Sequence, residues 1–281
     1  MLNLEEKGPD PPWEALPLAA ALCASHIVAH LVACCYIAWR DLTGQWDAHA
    51  IEKTQSRPPP AQRWMLYKSG FRSFLVDTLC FQLPALSLCT TARISDIMRS
   101  TTEDTVIVSL LKMLLGYQIG RLWAAFAHRV MHLRPLYRFT HKRHHVPIGE
   151  LVASGAFEDS VIEYCLMEVP AMTLLFVVAP PSVPMLFLFF MWHGFSAASD
   201  HAGMSFTREN GGDWLHRNFF DGEYHYWHHK LSVVNYAESE WIDKIFGTHH
   251  SQRRVKAKPP QHSAIDSATD EDPRRQRGRP P

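Results

Sequence analysis

The chain has 281 residues, 47% of them hydrophobic, and balances 28 Lys and Arg against 28 Asp and Glu, for a formal net charge of zero. Such a balance leaves no electrostatic footprint for a nucleic-acid partner and excludes that function class. The mean hydropathy of −0.15 argues against a chain buried in a bilayer throughout, although it averages apolar blocks with a polar C-terminal tail.

In chain order, residues 1-16 are a polar segment without the basic n-region and small-residue cleavage site of a secretory signal, so the first apolar block is expected to stay in the mature chain. That block, about 17-39, reaches the ~20 residues that a helix needs to cross a bilayer. Its His26 and His30 are read as packing or hydrogen-bonding within a bundle. Further apolar blocks lie at about 71-92, 105-127, 161-180 and 182-200, the last two separated by Ala179-Pro180-Pro181-Ser182, a break that predicts a helical hairpin. Several blocks are short or carry a charge (Arg72, Asp77, Lys112, Arg121, Glu163, Glu168), which gives a range of four or five spans. If five blocks cross, segments 40-70, 128-160 and 201-281 share one side. That side holds most of the basic residues, among them Arg57, Arg63, Lys68, Arg138, Lys142 and Arg143, and is expected to be cytosolic. From about 251 the chain is rich in Pro, Arg and Asp and is expected to be a disordered tail. The six cysteines all lie in apolar stretches without a C-x-x-C pair and are read as reduced, buried residues.

Seventeen histidines need an explanation, because imidazole is the commonest side-chain ligand of transition metals. Three clusters carry it. His128 and His132 are spaced i,i+4, which puts both on one helix face. His141, His144 and His145 follow at i, i+3 and i+4 beyond a turn placed near Pro135, and His225, His228 and His229 repeat that spacing after the hairpin. One H-x-x-x-H alone is more often a packing pair than a metal site. Eight histidines in three clusters at one face exceed the three or four of a single zinc site, so two metals are the economical count. Spacing favours iron over zinc only weakly, and the Glu-x-x-His pattern of soluble di-iron bundles is absent from the clusters.

These boxes, with HRVMHLRPLYRFTHKRHH and the late NYAESEWIDKIFGT, resemble the fatty acid hydroxylase/sterol desaturase superfamily over about 105-250. The resemblance implies an all-α, polytopic membrane bundle with a cytosolic, histidine-rich di-metal cap, in the endoplasmic reticulum. It divides the chain into 1-16, N-terminal membrane helices 17-104, a catalytic domain 105-250 and the tail 251-281. It implies two iron ions as cofactor, with zinc possible in a purified form, O2 as co-substrate, and a b-type cytochrome with its NAD(P)H reductase as electron donor. Carried over residue by residue, the metal ligands are His128, His132, His141, His144, His145, His225, His228 and His229, and Asp200-His201-Ala202-Gly203 offers His201 as a ninth. His193 lies eight residues earlier on roughly the same helix face, with a ligand role and a packing role both open. His216, His249 and His250 are read as residues of a solvated loop.

Gly222-Glu223-Tyr224 precedes the third box where methylsterol oxidases, the nearest in look, commonly have Ala-Glu-His; Glu223 is kept and is expected to orient a ligand. No G-x-G-x-x-G loop is present, so the chain is not expected to bind NAD(P)H. Trp192, Phe195, Phe219, Phe220, Tyr226 and Trp227 could line a lipid tunnel, but aromatics near a bilayer are more often packing or interfacial anchors. The expected function is hydroxylation or desaturation of a lipid, a sterol first (C-4 methyl oxidase-like), with a fatty acid or sphingoid base as the alternative. A non-catalytic, metal-bound lipid-binding protein and a metal transporter are the readings from other classes; intact boxes argue against the first and histidines at span ends against the second.

Overall fold

The computed structural model describes residues 15–51, 57–145, 151–207, 211–237 and 239–252. The expected disordered tail lies almost wholly outside them, as do the first residues of the polar N-terminal segment. Of the described residues 79% are helical and none forms a strand, which establishes the all-α class.

Helix α1 (Leu16–Leu42) is followed by α2 (Pro60–Asp77), a π-turn (Thr78–Gln82) and α3 (Leu83–Glu103), which run on as one 44-residue helix. Its length of about 66 Å is twice a ~30 Å hydrocarbon layer, so the helix continues well outside the span expected at 71-92. Helix α4 (Val106–Met131) leads into α5 (Arg134–Thr140) and the short α6 (Lys142–His145). Pro135 sits in the first turn of α5, where its missing N–H costs nothing, and the chain turns before it at His132–Leu133. Helix α7 (Val161–Glu163), a second π-turn (Tyr164–Glu168) and α8 (Val169–Val178) form one arm of the hairpin, and α9 (Val183–Asp200) the other. The break at 179–182 falls where it was expected. Helices α10 (Trp214–Phe219), α11 (Glu223–Leu231) and α12 (Glu240–Phe246) complete the chain.

Each π-turn precedes a proline. Pro84 and Pro170 have no N–H for the carbonyl four residues back, so the ladder widens by one residue there. The carbonyl of Leu166, freed by Pro170, accepts the indole N–H of Trp123 on α4 at 2.9 Å.

Four helices, Leu16–Leu42, Pro60–Glu103, Val106–Met131 and Val161–Val178, are long and apolar enough to cross a membrane, as in a multi-pass membrane protein. Large apolar side chains point outward along them, Leu88 at 74% and Ile107 at 70% exposure, which water would penalise and lipid would not. Three cysteines, Cys35, Cys80 and Cys165, belong to this outer face; only Cys23 and Cys34 are fully buried, which corrects the expectation for the set. Helix α9 falls outside the four yet runs between the same two ends. At one end the hairpin tip meets the α3–α4 turn, where Ser182 N–H donates to Ser109 Oγ and Val183 N–H to Thr101 Oγ1. All the histidine clusters lie at the other end. Along α1 the close approach of α9 is possible because position 194 is glycine: a Cβ there would stand 2.6 Å from the His26 carbonyl oxygen. Inside, Leu22, Phe74, Phe157, Tyr164, Phe176 and Phe190 form the core.

Candidate metal centre

Helical periodicity sorts the nine candidate histidines into two groups, each with its potential ligand atoms within 4.8 Å of one another: His128, His132, His141, His145 and His228, and His144, His201, His225 and His229. In each H-x-x-H-H box, residues i and i+4 share a face about 40° apart, while i+3 lies about 60° to the other side. His141 and His145 therefore join the first group and His144 the second; His225 and His229 join the second and His228 the first. Helix α4 ends so that His128 lies in its last turn and His132 caps it. The groups adjoin, with the His145 and His229 rings stacked at 4.5 Å.

Proton placement shows what these rings can do. A carbonyl can only accept, so the Nδ1 atoms that meet carbonyls must carry the proton: His128 donates to Tyr236 O at 2.7 Å, His228 to Val234 O at 2.7 Å and His201 to Ala197 O at 3.1 Å. His141 Nδ1 is held by the buried carboxylate of Glu163. Asp159 Oδ1 lies 2.9 Å from His144 Nδ1, off the line of a hydrogen bond but near enough to fix the ring electrostatically. With Nδ1 protonated, Nε2 is a bare lone pair. His128 Nε2, left bare by the bond to the Tyr236 carbonyl, faces His141 Nε2 at 2.8 Å. His145 Nε2 stands 3.0 Å from His141 Nε2 and 3.1 Å from the bare Nε2 of His228. In the second group, His201 Nε2 is approached at 2.9 Å by His225 and 3.3 Å by His144. Burial, reinforced by the neighbouring imidazoles, holds His141, His145, His225, His228 and His229 well below the usual histidine range, and burial with His144 does the same for His201; all are neutral at pH 7.

Converging neutral lone pairs suit a cation, and the donor set fits a transition metal. Two imidazoles about 2.1 Å from a tetrahedral zinc would hold their nitrogens about 3.4 Å apart, and a right-angled pair about 3.0 Å. The five-membered first group exceeds the four ligands of a tetrahedral zinc site, and the second group has four.

Other expectations meet mixed outcomes. Glu223 orients no histidine: its oxygens accept from Ser205 Oγ at 2.6 Å and Trp227 Nε1 at 3.2 Å. His193 joins neither group and meets His26 Nε2 at 3.3 Å and Glu168 at 3.6 Å. His26 and His30 are buried in the bundle, bonded to Gln82 Oε1 and the Gly194 carbonyl. His216 pairs with Asp213. His249 is buried against Tyr224 and is not the solvated residue expected. Phe195 packs on Phe219 and Phe220, in line with the packing role favoured for these aromatics. A cavity does open onto the histidines, with walls from Arg121, Phe157, Met167, Glu168, His193 and Tyr236. The sequence reading missed Asp159 and Glu163 as partners of the histidines.

A family model described as fatty acid hydroxylase matches residues 113–248. Sphinganine C4-monooxygenase 1 of Arabidopsis thaliana is 30% identical over 139 residues, covering 45% of this chain and 49% of the relative. The chain thus spans about half the length of the curated relative it matches. No solved structure matches it.

Proposed function

The chain belongs to the fatty acid hydroxylase/sterol desaturase superfamily by way of its residues 113–248, and from that membership we propose that it is a membrane-bound, O2-dependent lipid hydroxylase holding one iron ion in each histidine group. The observation that carries this reading is the convergence of nine imidazoles, most of them buried, into two adjoining groups beside a cavity. His128, His132, His141, His145 and His228 would hold one metal and His144, His201, His225 and His229 the other. The chemistry an iron pair supplies there, when bound, is the reductive activation of O2 and the oxidation of an unactivated C–H bond.

The protein's own residues do the rest. The carbonyls of Tyr236, Val234 and Ala197 hold the His128, His228 and His201 rings in the tautomer that leaves Nε2 free, while Glu163 and Asp159 fix the positions of the His141 and His144 rings. Phe157, Met167 and the small residues Ala124 and Ala125 of α4 supply the apolar wall beside the histidines. In the overall reaction R–H and O2 take up two electrons and two protons to give R–OH and water. The electrons come from a b-type cytochrome and its NAD(P)H reductase. Basic residues at the histidine end (Arg57, Arg63, Lys68, Arg138, Lys142, Arg143) support a cytosolic orientation in the endoplasmic reticulum membrane. Among lipids, a long-chain sphingoid base is preferred, on the strength of the sphinganine-oxidising relative; the sterol expectation draws no support from the comparisons.

Purified protein should carry two irons per chain, and lipids from cells with and without it should differ by one depleted long-chain substrate and its hydroxylated product. An iron-free protein under iron-replete, reducing conditions, or unchanged lipids, would overturn the reading.

A further inference from the structure

Three ionisable side chains, Arg121, Glu168 and His193, stand inside the bundle, on the side of the histidines that leads toward the hairpin tip. They line the cavity that opens onto His128, His144 and His201, and also the cleft that continues from it between α4, α8 and α9. They therefore occupy the junction of the two spaces. Arg121 is seven residues before His128 on α4, two helical turns or about 10 Å along the axis. Its guanidinium donates to Tyr117 Oη at 2.8 Å and lies over that ring. The π-turn ahead of Pro170 ends on Glu168, whose carboxylate lies 3.6 Å from His193 Nε2. His193 is held from behind by His26, and His26 by Gln82 of the other π-turn. Glu168 and His193 are only 12% and 13% exposed. Ionisable groups within spans are expensive, face the bundle interior or a cavity, and mark substrate pathways.

Beyond these three, the walls of the second cleft are Gly120, Ala124, Ala171 and Phe189, with Tyr117 beside Arg121. A junction lined by one guanidinium, one carboxylate and one imidazole, with small and apolar residues beside them, suits an amphiphile. Its head must both donate and accept hydrogen bonds, and a free carboxylate would meet Glu168.

We propose that Arg121, Glu168 and His193 form a polar anchor for the head group of a long-chain amphiphile bearing amine and hydroxyl groups. The anchor holds the head about two helical turns from His128 and leaves the adjoining chain carbons facing the histidines. It rests on the lipid-hydroxylase reading and deepens it by naming the side chains that select the substrate.

The test is equilibrium binding to the iron-loaded full chain in detergent, comparing an 18-carbon 2-amino-1,3-diol with an 18-carbon fatty acid, alongside iron content. Wild type should bind the amino diol at least about tenfold more tightly than the acid. Glu168→Gln should lose about tenfold of amino-diol affinity, about 1.4 kcal/mol, and Glu168→Asp should recover most of it, both at wild-type iron content. If Glu168→Gln fails to load iron, His193→Gln gives the same comparison. Wild-type affinity and preference in these variants, or a wild-type preference for the acid, would overturn the anchor. Lipid oxidation with unaltered binding in Glu168→Gln and Arg121→Gln would sink the anchor alone. An iron-loaded wild type that neither binds nor oxidises either lipid would remove the lipid-hydroxylase reading and the anchor with it.

Discussion

Asp159 and Glu163 stand four residues apart, and each fixes a histidine of a different group, His144 and His141. Loss of such a partner costs ring orientation and ligand basicity, so Glu163→Gln or Asp159→Ala should lower iron affinity about 10–100-fold, as read by competition with a chelator. His144→Ala and His228→Ala each remove one proposed ligand, one from either group, and should abolish product formation in a lipid assay. His249→Ala, outside both groups, should leave iron content at the wild-type value. The histidines themselves were legible in the sequence because i, i+3, i+4 spacing on a helix translates directly into faces. The two acids were not, since they act across 15 and 22 positions, where no periodicity links a side chain to its partner. A signal was present all the same: Glu163 is a charge at the start of an apolar block, and only a specific partner offsets its burial there.

Elements depart from the sequence reading where tertiary contact overrides local pattern. The hairpin at 179–182 was readable from its prolines. The continuation of α2 through α3 was not, because its polar first half resembles a loop and is held in place by the segment Ala153–Phe157, reached through Gly70. Buried Asp41, at the end of α1, ties that helix to α2: it accepts from Arg63 Nε at 3.2 Å and Tyr67 Oη at 3.3 Å, and pairs with Arg57. Asp41→Ala leaves buried guanidinium charge uncompensated and should cost about 3–5 kcal/mol, seen as a lowered midpoint of thermal unfolding. The π-turns have a different weight. Pro170→Ala restores a donor for the Leu166 carbonyl and allows a regular helix, which would rotate Met167 and Glu168 out of the cavity. The expected outcome is a stability equal to or above wild type, with loss of lipid hydroxylation, in paired unfolding and activity assays.

For the whole molecule, the described residues of 43–51, 57–59, 132–145, 151–160, 201–207, 211–237 and 239–252 lie at the histidine end, and the turns at 104–105 and 179–182 at the other. A thiol at Arg138→Cys should react with an impermeant maleimide only from the cytosolic side, and one at Thr102→Cys only from the opposite side; the reverse pattern would invert the proposed orientation. The number of spans was less legible, because α9 completes the bundle while ending in polar residues. One consequence of the facing lone pairs concerns how the protein is made. The chain inserts its helices on hydrophobicity alone, but the cap gathers rings from α4, α6, α9 and α11 whose bare nitrogens repel until a cation joins them. On the proposed metal-binding reading, completion of the cap is the step that needs metal. A nascent chain in an iron-starved cell would stop as an inserted bundle with an open cap, exposed to membrane proteolysis, so that the abundance of the finished protein follows the iron supply.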